Sequence, residues 1–243
     1  MIQVCRLIKS FSDQPILNEI SFDVRKGQIL FVLGQSGTGK SVLLKCLIGL
    51  LKIDSGEILI DQQRVEKLSN SELLDLRKKC GMVFQQPALF DSLSIEENIS
   101  YGLVRHFKLS RQEQSDRVEK ALASVKLDQK ILNLKPAQVS YGMQKRISMA
   151  RTLVLQPEIL LFDEPTTGLD PVSTTAINRL ILDISKQYNT TSIVVSHDMK
   201  CAYQIADQIL FLEKGRVIFD DKKEKIGQSN HPLVKSFFSE VRI

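Results

Sequence analysis

Three stretches carry residues whose types and spacing suit chemistry on a phosphate. "GQSGTGKS", from Gly34 to Ser41, fills the phosphate-binding pattern G-x-x-x-x-G-K-[ST]. Gly34, Gly37 and Gly39 let backbone wrap phosphate oxygens, while Gln35, Ser36, Thr38 and Val42 complete the loop and its exit. Lys40 is placed to neutralise β/γ charge, and the Ser41 hydroxyl to reach Mg²⁺. "ILLFDEP" puts Asp163 and Glu164 just beyond an apolar strand, and "SIVVSHD" does the same for His197. Ligands gather at the carboxyl ends of strands in an open parallel sheet. Asp163 is expected at the metal, Glu164 at the attacking water and His197 at the γ-phosphate. Read alone, "LLFDEP" also fits a strand running into a capped helix, and a lone histidine is usually structural. Delivery to one sheet edge is what joins them.

A second anion seat appears in "VSYGMQKRISMAR", residues 139–151. Met143, Ile147, Ala150 and Val154 recur at helical spacing, while Gln144, Lys145, Arg146 and Arg151 supply a polar side. A helix starting at small residues presents unpaired N–H groups and a positive dipole end. One site does not need two such seats. If two copies face each other head to tail, the Ser140–Gly142 turn of one closes over nucleotide held by the other.

These residues need elements to hold them. "IQVCRLI" and "EISFDVRKG" read as an antiparallel edge, and "QILFVLG" as a buried strand feeding the glycine-rich loop. A helix follows from Ser41 to about Leu50, then "SGEILIDQQRV" returns as a strand. From about Ser94 to Leu155 the pattern is helical. "EILLFDEP" and "TSIVVSHD" flank the amphipathic "STTAINRLILDISKQY", an alternation that predicts a parallel sheet covered by helices. "QILFLEKGRVIFD" reads as a hairpin around Lys214-Gly215, and Leu233, Val234, Phe237, Phe238 and Val241 as one face of a last helix.

Composition narrows the class. At 43% hydrophobic and 25% charged, the chain resembles an ordinary globular protein, neither disordered nor collagenous. Its longest apolar runs fall short of the ~20 residues that span a bilayer, and the N-terminus has no secretory core. The expectation is a cytosolic chain whose membrane role comes through a partner. Four cysteines without a C-x-x-C pair predict free thiols, Cys46 packed in a helix. The net charge of +5 would suit nucleic acid or an anionic membrane surface, but the Lys and Arg are dispersed as on a solvated surface; charge alone decides nothing, and no direct nucleic-acid partner is expected.

The order GQSGTGKS, VFQQ, VSYGM, LLFDEP, TTGLDP and SHD resembles the ATP-binding cassette (ABC) ATPases over nearly the whole chain. That resemblance implies an α/β fold of the RecA-like P-loop NTPase type: a mostly parallel sheet, an N-terminal antiparallel β region and an inserted α-helical subdomain at about residues 87–155. It implies one nucleotide-binding domain over residues 1–243, with a C-terminal helical extension at about 229–243. ATP and Mg²⁺ are the implied ligands, with Ser41, Gln85 and Asp163 on the metal. Phe11 stands where an aromatic ring stacks on adenine, although such a ring can also serve as core packing. Gln85 stands at the loop coupling Mg²⁺ and γ-phosphate to the helical subdomain. Gly168, Leu169 and Asp170 form the D-loop that meets a partner's site. The signature Leu-Ser-Gly-Gly-Gln is Val139-Ser140-Tyr141-Gly142-Met143 here. Tyr141 is therefore expected in a backbone geometry that glycine adopts more freely, and Met143 supplies no side-chain amide.

Narrower likenesses, "ALFDSLSIEENISYGLVRHFKLS", "YGMQKR" and "SNHPLVKSFF", resemble the ATPases of Mla/Mce-type phospholipid transporters. They imply a homodimer on the cytoplasmic face of the inner (plasma) membrane, bound to an integral permease, with a possible MCE-domain lipid-binding protein and accessory subunit. Two other functions stay open. One is the ATPase of an amino-acid, ion or other small-solute importer. The other is a soluble ABC protein acting on nucleic acid, a class that usually carries two cassettes or a long coiled coil.

Overall fold

The computed structural model describes residues 2–12 and 14–239; Val241, expected on the last helix, lies outside the described residues. Two sheets form its frame. The first is antiparallel, in the order β2-β1-β4-β5, with β1 Ile2–Phe11, β2 Gln14–Val24, β4 Ser55–Ile60 and β5 Gln63–Arg64. The second has the order β10-β9-β3-β8-β7-β6. Its members are β3 Ile29–Leu33, β6 Cys80–Val83, β7 Ile159–Asp163, β8 Thr191–Ser196, β9 Gln208–Glu213 and β10 Arg216–Lys222. All neighbours in it run parallel except β9 and β10, which form the hairpin.

Strand β3 explains how the layers stack. Side chains alternate across a strand, and both of its faces are buried. Ile29, Phe31 and Leu33 enter one core with Phe162, Ile181 and Phe211. Leu30 and Val32 enter a second core with Val4, Leu7, Leu43 and Ile193. The second core lies between the sheets and takes in α1, Lys40–Leu47, which is shorter than the expected 41–50. Each fully buried Leu, Ile or Phe contributes roughly 1.5–3 kcal/mol, so the two-sided burial clamps β3 firmly.

Between β5 and the helical block lie two elements that sequence reading does not give: α2, Asn70–Lys79, and β6. The helical block holds α3 Ile95–His106, α4 Arg111–Ser124 and α5 Tyr141–Leu153. Ser69, Ser94 and Ser110 each cap the next helix while Glu72, Glu97 and Glu113 reach back to them. These reciprocal caps satisfy amide groups that a helix start leaves bare. The remaining helices are α6 Pro171–Tyr188, α7 Met199–Ile205 and α8 Pro232–Ser239. Phe237 of α8 meets Phe211 edge-on, with centroids 5.0 Å apart.

The sheet register brings the predicted residues together. Leu33 pairs with Ser196, Asp163 with Val195, and Val83 with Phe162. The glycine-rich loop, Glu164, His197 and Gln85 therefore all leave one edge of one sheet.

Candidate nucleotide site

The loop after β3 turns into α1 at Gly39, whose φ is +96°. A Cβ there would lie 2.9 Å from the Ile16 carbonyl oxygen and 2.8 Å from Leu17, so the close approach requires glycine. No side chain caps α1 and no acidic residue occupies its first turn. Its first amides are thus free to meet an anion. Lys40 is buried among acceptors: its ammonium donates to the Gly34 and Gln35 carbonyls, at 2.8 and 2.9 Å, and lies 3.6 Å from Glu164 Oε1. Burial holds its pKa below the usual lysine value, and the Glu164 and Asp163 charges oppose that shift.

The ends of β7 and β8 supply the carboxylates and the imidazole. Ser41 Oγ donates to Asp163 Oδ1 at 2.6 Å. Glu164 has a φ of +47°, uncommon for a residue with a side chain, and its amide donates to the Val195 carbonyl at 3.0 Å. Its Oε2 accepts from Thr167 Oγ1 at 3.2 Å and lies 2.9 Å from His197 Nδ1. The bent backbone aims Glu164 back across the loop, between Lys40 and His197.

A cavity of about 660 Å³ opens here. Phe11, Gln35, Ser36, Gly37, Gly39, Lys40, Ser41, Val42, Gln85, Glu164 and His197 line it, all residues singled out from the sequence. Gly34 and Thr38 shape the loop from behind, Thr38 Oγ1 donating to the Gln35 carbonyl at 2.9 Å. Phe11 stands 45% exposed at the mouth, with the Lys9 ammonium 5.3 Å from its ring centroid. Two lining residues were missed, Ile16 and Thr167. Thr167 had a signal, a hydroxyl three residues after Glu164; Ile16 offers only apolar bulk.

Ser140, Tyr141, Gly142, Met143, Gly168, Leu169 and Asp170 do not line this cavity. Ser140 caps α5, accepting from the Met143 amide at 3.3 Å. Asp170 caps α6, accepting from the Val172 and Ser173 amides at 3.0 Å. Leu169 packs on the core.

Two expectations about α5 need correction. Tyr141 is not strained: it is the first residue of a regular helix and is absent from the positive-φ residues. No glycine conformation is needed there, because the turn is made before it. Its ring packs toward Gly168, where an added side chain would meet it at 3.5 Å, and its hydroxyl reaches Gln86 Oε1 at 3.5 Å. Nor do Lys145 and Arg151 form a solvated polar side. Lys145 is only 2% exposed, and its ammonium donates to the Gln85 carbonyl. Arg151 donates to the Ala88 and Pro87 carbonyls at 2.7 and 3.2 Å. Backbone acceptors in the segment after β6 stand in for water.

The donors suit Mg²⁺. The Ser41 hydroxyl, Asp163 carboxylate and Gln85 amide offer hard oxygens, and Mg²⁺ commonly completes its shell with phosphate oxygens and water.

The profile of the family described as "ABC transporter" matches residues 17–167. Over its full length the chain is 38% identical to "Probable ribonucleotide transport ATP-binding protein mkl" of Mycobacterium leprae, covering 70% of that protein. It is 37% identical to "Intermembrane phospholipid transport system ATP-binding protein MlaF" of Haemophilus influenzae, across 98% of this chain and 89% of the relative. It is 36% identical to "L-cystine import ATP-binding protein TcyC" of Bacillus subtilis, across 93% and 92%. Among solved structures it resembles a dimeric ATP-binding cassette, MJ0796, in a post-hydrolysis state with ADP and Pi. The TM-score is 0.83 at 30% identity, over 92% of this chain and 99% of that one. With the glycine-rich loop, Glu164 and His197 lining one cavity, the chain belongs to the ABC transporter family and is an ATP-hydrolysing subunit.

Proposed function

We propose that this ATPase powers phospholipid movement through a separate membrane permease, as one of two identical copies clasping ATP head to tail. The observation that carries the catalytic part is the Lys40–Glu164–His197 constellation at the mouth of the glycine-rich loop. The loop amides and Lys40 cradle the phosphates, exchanging the Gly34 and Gln35 carbonyls for stronger acceptors. Glu164 takes the proton of the attacking water, and His197 steadies charge that grows on the γ-phosphate. Ser41, Asp163 and Gln85 would hold Mg²⁺, which when bound would supply Lewis-acid charge beside the phosphates. Phe11 gives the adenine a stacking face.

The remaining side is open. Ser140, Tyr141, Gly142 and Met143, together with Gly168, Leu169 and Asp170 of the D-loop, do not line their own cavity; in the head-to-tail pair they complete the partner's. Likeness to a cassette solved as a dimer supports that arrangement. Among the described residues no helix is long and apolar enough to cross a membrane, which fits a peripheral subunit on the cytoplasmic face. The near-full-length likeness to the phospholipid system protein MlaF supports lipid as cargo, with an MCE-domain partner. The likeness to the L-cystine import protein TcyC favours a second reading, a small-solute importer. Isolating the intact complex in mild detergent distinguishes them. A permease carrying phospholipid and an MCE-domain subunit is the expected result; a soluble solute-binding subunit would overturn the lipid reading.

A further inference from the structure

We infer that Lys145 is a positioning residue for Gln85, holding that glutamine at the phosphate end of the cavity from the first turns of α5. The inference rests on the reading that Gln85 serves the metal and γ-phosphate. The segment from Phe84 to Leu93 has no regular secondary structure of its own. Its carbonyls are instead gripped from α5: Gln85 by Lys145, and Pro87 and Ala88 by Arg151. Asn98 fixes the far end, accepting from the Phe90 amide at 2.8 Å and donating to the Phe90 carbonyl at 3.0 Å.

Lys145 differs from the other two anchors. It bonds the backbone of the very residue whose side chain lines the cavity. It is almost wholly buried, and a buried ammonium is tolerated only where acceptors meet it. The Tyr141 ring centroid lies 5.6 Å from its ammonium, a cation–π approach that shields it further. The same ring faces Gly168, and its hydroxyl reaches Gln86. The side chain of Tyr141, where the family pattern has none, thus roofs the Lys145–Gln85 bond. A shift of α5 relative to the sheet pulls on the Gln85 carbonyl directly, so movement of the signature turn is felt at the cavity.

The test is steady-state ATP hydrolysis by the full chain in its native assembly, at saturating ATP, as Mg²⁺ is varied. Lys145→Met is expected to raise the Mg²⁺ needed for half-maximal rate about tenfold, the loss of one charge-assisted hydrogen bond. Lys145→Arg should restore most of it. Combined with Gln85→Ala, Lys145→Met should add little beyond Gln85→Ala alone, because both act through one side chain. Should Lys145→Met not fold, Lys145→Leu, which likewise has no donor, carries the same comparison. A normal Mg²⁺ response in Lys145→Met, beside a shifted one in Gln85→Ala, would overturn the positioning role alone. An unshifted Gln85→Ala would overturn the reading of Gln85 and this inference with it.

Discussion

Ser41 and Asp163, 122 positions apart, share a 2.6 Å hydrogen bond that ties the start of α1 to the end of β7. The bond makes a hydroxyl and a carboxylate adjacent oxygen donors with one shared orientation. Ser41→Ala and Asp163→Asn should each weaken the Mg²⁺ response of hydrolysis by roughly 10–100-fold, the range seen when a metal site loses an oriented partner. The measurement is a Mg²⁺ titration of rate. An unchanged midpoint in both would remove them from the metal.

Glu164 lies within reach of Lys40, Thr167 and His197. Glu164→Gln keeps its shape and removes its basicity. Turnover should fall roughly a hundred- to ten-thousandfold, while ATP affinity, followed by a fluorescent nucleotide, stays within a few fold. Brisk hydrolysis by this variant would exclude Glu164 as the base.

The thiols should react unequally. Burial pushes Cys46 up to about 11 and Cys80 up to about 12, and burial beside Asp198 raises Cys201 as well. Cys5 alone of the four is exposed. The thiolate is the reactive form, and raised pKa values keep the buried three protonated well above neutral pH. A disulfide reagent at pH 8 should label one thiol quickly and the other three only after denaturation. Rapid labelling of two or more in the native chain would contradict the packing.

Phe237 docks α8 edge-on against Phe211, and Phe238 lies 5.8 Å from Tyr203. Phe237→Ala should cost about 2 kcal/mol, below the full-core range because the ring is only half-buried. Hydrogen exchange should show α8 opening first. Equal protection of α8 in both proteins would show that the ring is not its anchor.

Much of this was legible in the sequence because chemistry and periodicity agree there. β3, β7 and β8 are apolar runs ending in functional residues, and a parallel sheet has few ways to arrange them. β6 was not legible. It is four residues long and contains Gly81, which reads as a turn; yet a side chain there would meet Thr152 Cγ2 at 2.4 Å, so the glycine serves close packing. α2 is charged along much of its length, although Ser69 and Glu72 advertised its start. Lys145 and Arg151 escaped for a different reason. Helical periodicity separates apolar from polar residues, and it cannot tell a polar group facing water from one facing carbonyls of another segment. Tyr141 sits in ordinary helical backbone because a glycine in a motif need not mark a demand on backbone angles.

Gly39 and Gly215 press on the same atom from two directions: a Cβ on either would come within 2.9 and 2.5 Å of the Ile16 oxygen. The Asn18 amide also donates to the Gly215 carbonyl at 2.7 Å. Three chain segments are riveted at that point with no slack between them. The spacing between β2 and the glycine-rich loop is thereby set by backbone thickness alone, and a side chain added at either glycine would have to push strand and loop apart.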